Sequence, residues 1–258
     1  MSALATQVGA LAQRSVTRTA RQPASAIPPL IFPVALMLVN SGGLRASTLL
    51  PGFPTDSFLA FALAVPFIQG ALFSTINAGT DLARDIQTGF FSRLALTPMR
   101  GSALLAGQLA GIILLGVLQA VFYIATGLLL GVRFASGPGG IALLLVYAAL
   151  VALGFGALGS FLALRTGSGE SVQGLFPVLF VFLFISSMNT PRNLIAVDWF
   201  RTLATLNPVS YLIECVRGLI ITGWDAQALA LGFGIAAAIA VVFLAAASWA
   251  LGQRLERT

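Results

Sequence analysis

Six intervals of this chain carry no charged residue, and each is long enough, or nearly so, to cross a lipid bilayer. They run Ala26–Leu44, Ser57–Thr80, Ser102–Val132, Gly139–Leu164, Ser171–Met188 and Ala226–Leu251. An arginine or aspartate at the centre of a membrane helix costs about 2.5–3.5 kcal/mol on insertion scales, whereas each Leu or Val returns only a few tenths. Charge-free length is therefore the signal for a hydrocarbon core ~30 Å thick, which takes ~20 helical residues to cross. Ser102–Val132 is long enough to tilt or to extend beyond the bilayer. Only 9% of the 258 residues are charged and 58% are hydrophobic, against roughly 25% charged in a soluble domain. So few charges could not cover the surface of a soluble chain this long. The expectation is an all-α integral membrane protein with six transmembrane helices, formed by one transmembrane domain over residues 1–258.

Every basic residue is an arginine, and the formal net charge is +6. The arginines lie mostly in short stretches between the apolar runs, where they set orientation. With the N-terminus inside, Arg14, Arg18, Arg21, Arg84, Arg93, Arg100, Arg165, Arg254 and Arg257 are cytoplasmic. Arg45, Arg133, Arg192, Arg201 and Arg217 are then outside. The nine-to-five bias favours N-in, and six spans return the C-terminus to the cytoplasm. Once the apolar runs are removed no basic, aromatic-bearing soluble domain remains, so no nucleic acid is expected as a partner. Cys215 is the sole cysteine and there is no histidine. An intramolecular disulfide, histidine-ligated zinc and histidine-based nucleophilic catalysis are thereby excluded, and no metal site is expected. The first 25 residues hold three arginines and no long apolar core, so they are not read as a secretory signal.

The segments between the spans carry more pattern. In residues 1–22, Leu4, Val8, Leu11, Ala12 and Val16 gather on one side of a helix and Arg14, Arg18 and Arg21 on another. This predicts an interfacial helix on the inner leaflet, its arginines facing lipid phosphates. Pro23, Pro28 and Pro29 are expected to break the chain before the first span. Residues 191–223 predict surface or re-entrant helices. Pro191–Leu206 suits an amphipathic helix lying on the surface, with Leu194, Val197, Trp199 or Phe200, and Leu203 apolar. Pro208–Thr222 reads as a short helix dipping in from the outer surface, capped by Asn207, begun by Pro208 and stopped at Gly223. Glu214 and Arg217 stand at i and i+3 and are expected to pair.

Gly154-Phe-Gly156-Ala-Leu-Gly159 spells a dinucleotide fingerprint, but it lies inside a charge-free span with no acidic residue some 20 positions on. Close helix packing is the expected role. The same reading applies to Gly107-x-x-x-Gly111 and Gly127-x-x-x-Gly131. There is no Walker-type loop and no internal repeat. The segment Asp81–Gly101, DLARDIQTGFFSRLALTPMRG, is longer than a connection between spans requires. Ile86, Phe90, Phe91 and Leu94 would share a helical face flanked by Asp85 and Arg93. Such a helix suits either a groove on a partner or the lipid surface.

This segment resembles the cytoplasmic loop of ABC-2-type permeases, the membrane subunits of a class of ABC exporters. The matching residues are Asp85, Gly89, Arg93-Leu94, Thr97-Pro98 and Arg100. A second match, Asn207-Pro208-Val209-Ser210-Tyr211 followed by Glu214 and Arg217-Gly218, resembles the signature before the last span in the same family. In place of the Glu-Arg-Glu run of many members stands Ala83-Arg84-Asp85-Ile86, and Asp85…Thr88-Gly89…Arg93 is closer to the daunorubicin-resistance branch. The resemblance implies a permease that works in pairs, as a homodimer or with a related permease, in a bacterial inner membrane. Each copy would bind a separate ATP-binding cassette ATPase that carries the ATP and Mg, this chain binding no cofactor of its own. Residues 81–98 would hold the coupling helix, with Asp85, Gly89, Phe90, Phe91, Arg93, Leu94 and Pro98 as coupling residues. Asn207, Pro208, Tyr211, Glu214 and Arg217 would belong to an outer gate.

With so little charge in the spans, a hydrophobic or amphipathic cargo such as a drug, antibiotic or lipid is easier to accommodate than a strongly charged one. Candidate path residues are Asn77, Gln119, Tyr123, Phe176, Phe180, Phe184 and Asn189. The competing reading is a secondary transporter or channel not driven by ATP, for which the spans show no charged constriction. A membrane-embedded enzyme would have to use Asp56, Glu170 or Asp198, which are far apart in the sequence.

Overall fold

The structure is a computed structural model that describes residues 9, 10, 13, 14, 17, 23–89 and 101–255, with the side chains of 23–26 and 101–104 outside that description. Every regular element among the described residues is helical. In chain order these are α1 (Pro23–Gly43), α2 (Phe58–Ala62), α3 (Ala64–Gln87), α4 (Gly101–Leu129) and α5 (Gly137–Thr166). There follow α6 (Gly169–Gln173), α7 (Leu175–Phe184), α8 (Asp198–Leu206), α9 (Pro208–Ile221) and α10 (Ala226–Leu255). Single 3-10 turns occupy Arg45–Leu49 and Arg192–Leu194.

Four helical runs are long and apolar enough to cross a membrane: Phe58–Gln87, Leu105–Leu129, Gly137–Thr166 and Ala226–Leu255. The first and fifth charge-free intervals form the shorter apolar helices Ile27–Gly43 and Gly169–Phe184. The α6–α7 stretch ends early because the chain bends at Ile185 and buries Ser186, Ser187 and Met188 beneath α9.

α5 is the hub, and its glycines show why. A methyl group on Gly154 would lie 3.1 Å from the Ala240 nitrogen of α10, and one on Gly156 would lie 2.7 Å from Ile112 of α4. On Gly159 it would come within 2.1 Å of the Thr75 carbonyl oxygen of α3. The fingerprint-like run thus spends its three glycines on three different neighbours, as small-residue packing requires. Gly127 plays the same part against Leu63, 2.4 Å from its missing Cβ. Gly131 does not: it lies beyond α4 at φ +83°, a left-handed turn that ends the helix.

The proline-rich start of α1 departs from the sequence expectation. Pro28 and Pro29 do not break the chain before the first span; the helix runs through them and through Pro33. The carbonyl of Pro29 would ordinarily accept from residue 33, but Pro33 has no N–H. The Tyr123 hydroxyl from α4 donates to that oxygen instead. A side chain 94 residues away in sequence thereby completes the helix.

α9 is 14 residues long, about 21 Å at 1.5 Å per residue, and so too short to span. It is nonetheless core: Leu212, Ile213, Cys215, Val216 and Leu219 are fully buried. Its last carbonyls are satisfied from the α4–α5 connection, where Ala135 N donates to Ile220 O and the Ser136 hydroxyl to Leu219 O. The core divides between the two halves of the bundle. One cluster centres on Phe61, Leu72, Tyr147 and Ile213, the other on Leu82, Leu109, Leu164 and Leu251.

Candidate functional site at the two ends of the bundle

Polar chemistry collects at opposite ends of the long helices. At one end α3 finishes at Gln87, and Gly89 at φ +69° supplies the left-handed stop. Asp85 receives both terminal nitrogens of Arg14 at 2.9 Å, a two-pronged pair that ties residue 14 to α3. The Asp85 carboxylate outweighs partial burial and holds the Arg14 guanidinium above its ordinary pKa. Gln87 donates to Gly167 O at 3.1 Å, and Arg254 to Leu164 O at 2.8 Å. Arg165 donates to Gln253 and lies over the Trp249 ring. The ends of α3, α5 and α10 are thus laced together. Of the expected surface and coupling residues, Arg14, Asp85 and Gly89 are placed here. Arg18, Arg21, Phe90, Phe91, Arg93, Leu94 and Pro98 lie outside the described residues.

At the other end Asn207 caps α9 as the sequence suggests, its Oδ1 accepting from Val209 N at 2.9 Å. Its Nδ2 adds a role the sequence hides, donating to Phe182 O at 2.6 Å and Ile185 O at 2.9 Å. One side chain therefore starts α9 and fastens the end of α7. Pro208 is the first residue of α9. Tyr211 donates to Thr205 O, and its ring lies 4.3 Å beneath the Arg192 guanidinium.

The expected pairing of Glu214 with Arg217 does not form. Glu214 takes Arg192 in a two-pronged pair at 2.8 and 2.6 Å. Partial burial works against the Arg192 charge, but Glu214 and Tyr211 outweigh it and hold its pKa above the ordinary value. Arg217 turns inward, 6% exposed, and donates to Phe61 O, Ser187 O and Met188 O at 3.0–3.2 Å. Its guanidinium lies 3.4 Å over the Phe61 ring. Two residues on one helical face can pair only if no better partner competes. Here the loop at 187–193 supplies both a cation for Glu214 and carbonyls for Arg217.

These residues border a cavity of about 590 Å³ between the 3-10 turn at Arg192, α8, α9 and the start of α10. α8 turns an apolar side outward, with Trp199 65%, Leu203 43% and Leu206 75% exposed. That face suits a membrane interface.

The candidate path residues fall in four places. Phe176, Phe180 and Phe184 recur every four residues along α7, with successive centroids 4.4 and 6.1 Å apart. They join Phe73 of α3 and Phe32 of α1 in one aromatic row, 5.2 Å from Phe176 to Phe73 and 6.0 Å from Phe73 to Phe32. Phe32 and Phe73 were not singled out from the sequence; a phenylalanine at i, i+4, i+8 gives no sign of which other helix completes its row. Gln119 and Tyr123 pack inside the bundle, where Gln119 accepts from Ser74 and Tyr123 mends α1. Asn77 is exposed on α3, and Asn189 accepts from Asn40 at 3.4 Å.

The family model of the ABC-2 type transporter matches residues 6–221. The daunorubicin resistance ABC transporter permease protein DrrB1 of Streptomyces coeruleorubidus is 30% identical over 198 residues, 74% of this chain and 65% of that relative. The probable doxorubicin resistance ABC transporter permease protein DrrC of Mycobacterium tuberculosis is 26% identical over 81% of this chain and 75% of its own length. A putative transport permease, ycf38, of Porphyra purpurea is 27% identical over 82% of the chain and 72% of its own. The chain thus spans about two thirds to three quarters of the length of these relatives. On the match over residues 6–221, together with its long apolar helices, this chain belongs to the ABC-2 type transporter family.

Proposed function

We propose that this chain is the membrane permease subunit of an ABC exporter, forming the path for a hydrophobic or amphipathic substrate and driven by a separate ATPase subunit. The carrying observation is the family match over most of the chain, which includes both polar ends of the bundle. The relatives named for daunorubicin and doxorubicin resistance support a drug-like cargo. The row Phe32, Phe73, Phe176, Phe180 and Phe184 supports it physically, offering ring faces and no charge. In this reading α1 and α6–α7 complete six spans, with the Arg14–Asp85 end in the cytoplasm and the Glu214–Arg217 end outside. A second permease copy in a bacterial inner membrane closes the path. The exposed apolar residues of α1 and α7, among them Ile31, Phe32, Val181 and Phe184, support that placement.

Phe90 and Phe91 then anchor the chain in a groove of the ATPase, with Asp85 and Arg93 at the rim. Truncating two such anchors costs ≥2 kcal/mol, about thirtyfold in affinity. The test is co-purification with the partner ATPase and ATP-dependent drug export from vesicles for Phe90→Ala/Phe91→Ala. The complex is expected to weaken and export to fall. A double variant that keeps both at the parental level refutes the coupling assignment.

A further inference from the structure

We propose that the cavity between α8, α9 and the start of α10 is a binding site for one phosphate-type oxyanion, either the headgroup of an anionic lipid or a soluble phosphate. The site stands on its own geometry and needs only that the long apolar helices lie in a membrane.

Arg217 carries the inference. Among the described residues no carboxylate pairs with it, since Glu214 is taken by Arg192 and Asp198 by Arg201. A guanidinium has five N–H donors. Three go to the carbonyls of Phe61, Ser187 and Met188, and two have no acceptor among the described residues. Taking a cation out of water costs several kcal/mol unless an opposite charge or a full set of hydrogen bonds compensates. Carbonyl oxygens and a ring face solvate this cation only in part, and the side chain borders the cavity.

The rest of the lining agrees with an anion. Arg192, Arg201 and Arg217 face it with Glu214 and Asp225; Glu214 balances Arg192 and Asp198 balances Arg201, so Arg217 is the cation left to a ligand. Asp225 is turned to its own helix, accepting from Gln227 N and Ala228 N at the start of α10. The volume of about 590 Å³ falls in the 300–1,000 Å³ range of small-molecule sites.

Depth in the membrane is set by the tryptophans. Trp199 and Trp224 neighbour the lining residues Arg201 and Asp225 and are 65% and 60% exposed. Exposed tryptophans mark the headgroup level of a bilayer. A phosphodiester at that level meets the cavity mouth directly. A zwitterionic headgroup would bring a quaternary ammonium against the arginines.

The experiment is native mass spectrometry of the purified full-length protein in neutral detergent. It is titrated with dihexanoyl-phosphatidylglycerol or dihexanoyl-phosphatidylcholine, with and without inorganic phosphate as competitor. One saturable phosphatidylglycerol is expected, bound at least tenfold more tightly than phosphatidylcholine. Arg217→Gln should weaken it at least tenfold, Arg201→Gln about threefold, and Thr205→Trp should block it by filling the mouth. If Arg217→Gln fails to fold, the other two decide, because both of those residues are exposed and their substitution leaves the core alone. Competition by millimolar phosphate assigns the site to a soluble oxyanion, and its absence assigns the site to a lipid headgroup. Equal binding of the two lipids overturns the proposal. So does unchanged phosphatidylglycerol affinity in Arg201→Gln and Thr205→Trp.

Discussion

Adding one methyl group at Gly159 tests the packing on which the bundle rests. A Cβ at this position would stand 2.1 Å from the Thr75 carbonyl oxygen, 3.0 Å from its carbon and 3.2 Å from Gly79 N. A close C···O contact is about 3.3 Å, so α3 and α5 must part by a little over ~1 Å. No rotamer change relieves this, because all three neighbours are backbone. Gly79 narrows the same crossing from the other side, its own missing Cβ lying 2.7 Å from Gly159 O. Overpacking of this kind costs about 1–3 kcal/mol and occasionally more. Against that, alanine recovers up to ~1 kcal/mol of helix propensity over glycine. The net expectation for Gly159→Ala is a loss of about 1–2 kcal/mol, or a fall in Tm of about 2–8 °C at this chain length. Gly234→Ala on α10 is the control, since nothing lies within 4 Å of its Cβ position; its Tm should hold or rise slightly. Both are read by intrinsic tryptophan fluorescence on heating the detergent-purified protein. If Gly159→Ala melts within a degree of the parent, the close approach of α3 and α5 is wrong.

Tyr123→Phe removes the donor to Pro29 O and leaves a buried carbonyl unpaired, so a loss of about 1–3 kcal/mol is expected in the same melting assay; an unchanged Tm would mean that α1 needs no such mending. Gln69 is fully buried and neither end of its amide has a hydrogen-bond partner among the described residues. Gln69→Met, which keeps the volume and removes the orphan groups, should therefore stabilise by about 1 kcal/mol, and a lower Tm would contradict that burial. Glu214→Gln and Arg192→Gln should each cost about 1 kcal/mol and couple by a similar amount in a double-mutant cycle. That figure is kept small because both side chains are about one quarter exposed. Independent, additive effects would show that the pair contributes nothing.

Charge-free length located the four helices long enough to cross a membrane among the described residues, because the insertion cost of a charge is so much larger than any single apolar gain; the first and fifth intervals, read as spans, are shorter apolar helices. Local rules also held where the partner is local, as with the Asn207 cap, Pro208 as the first residue of α9 and the glycine stop at Gly223. They failed where a distant segment competes for a side chain. Glu214 and Arg217 satisfy the i, i+3 rule, yet Arg192 lies 22 residues upstream and offers Glu214 a two-pronged partner, while Arg217 turns away to the carbonyls of Phe61, Ser187 and Met188. Pro28 and Pro29 read as breakers because the sequence cannot show that Tyr123 reaches Pro29 O. The glycines of α5 read as packing residues, but which helix each one admits is a property of the assembled bundle.

The same competition explains why the two polar ends are built differently. At the Asp85 end the ties are side chains reaching across to neighbouring helices: Arg14 to Asp85, Gln87 to Gly167 O, Arg254 to Leu164 O. They join helix ends that stand beside one another. At the Arg217 end the helices do not finish level, since α7 stops at Phe184 and α9 is too short to cross. Main-chain carbonyls are left inside, and Arg217 and Asn207 collect them. A single cation can serve three carbonyls from two segments, which no neutral side chain could do. The helical run Phe58–Gln87 joins both arrangements, with Phe61 O held by Arg217 near its start and Asp85 held by Arg14 near its finish. Those two residues are about 36 Å apart along the axis at 1.5 Å per residue. Between them the helix is pinned to α5 by backbone contact at Gly79 and Gly159. A shift of this run at one end therefore cannot be absorbed at its middle, and must appear at the other end or break the α3–α5 crossing.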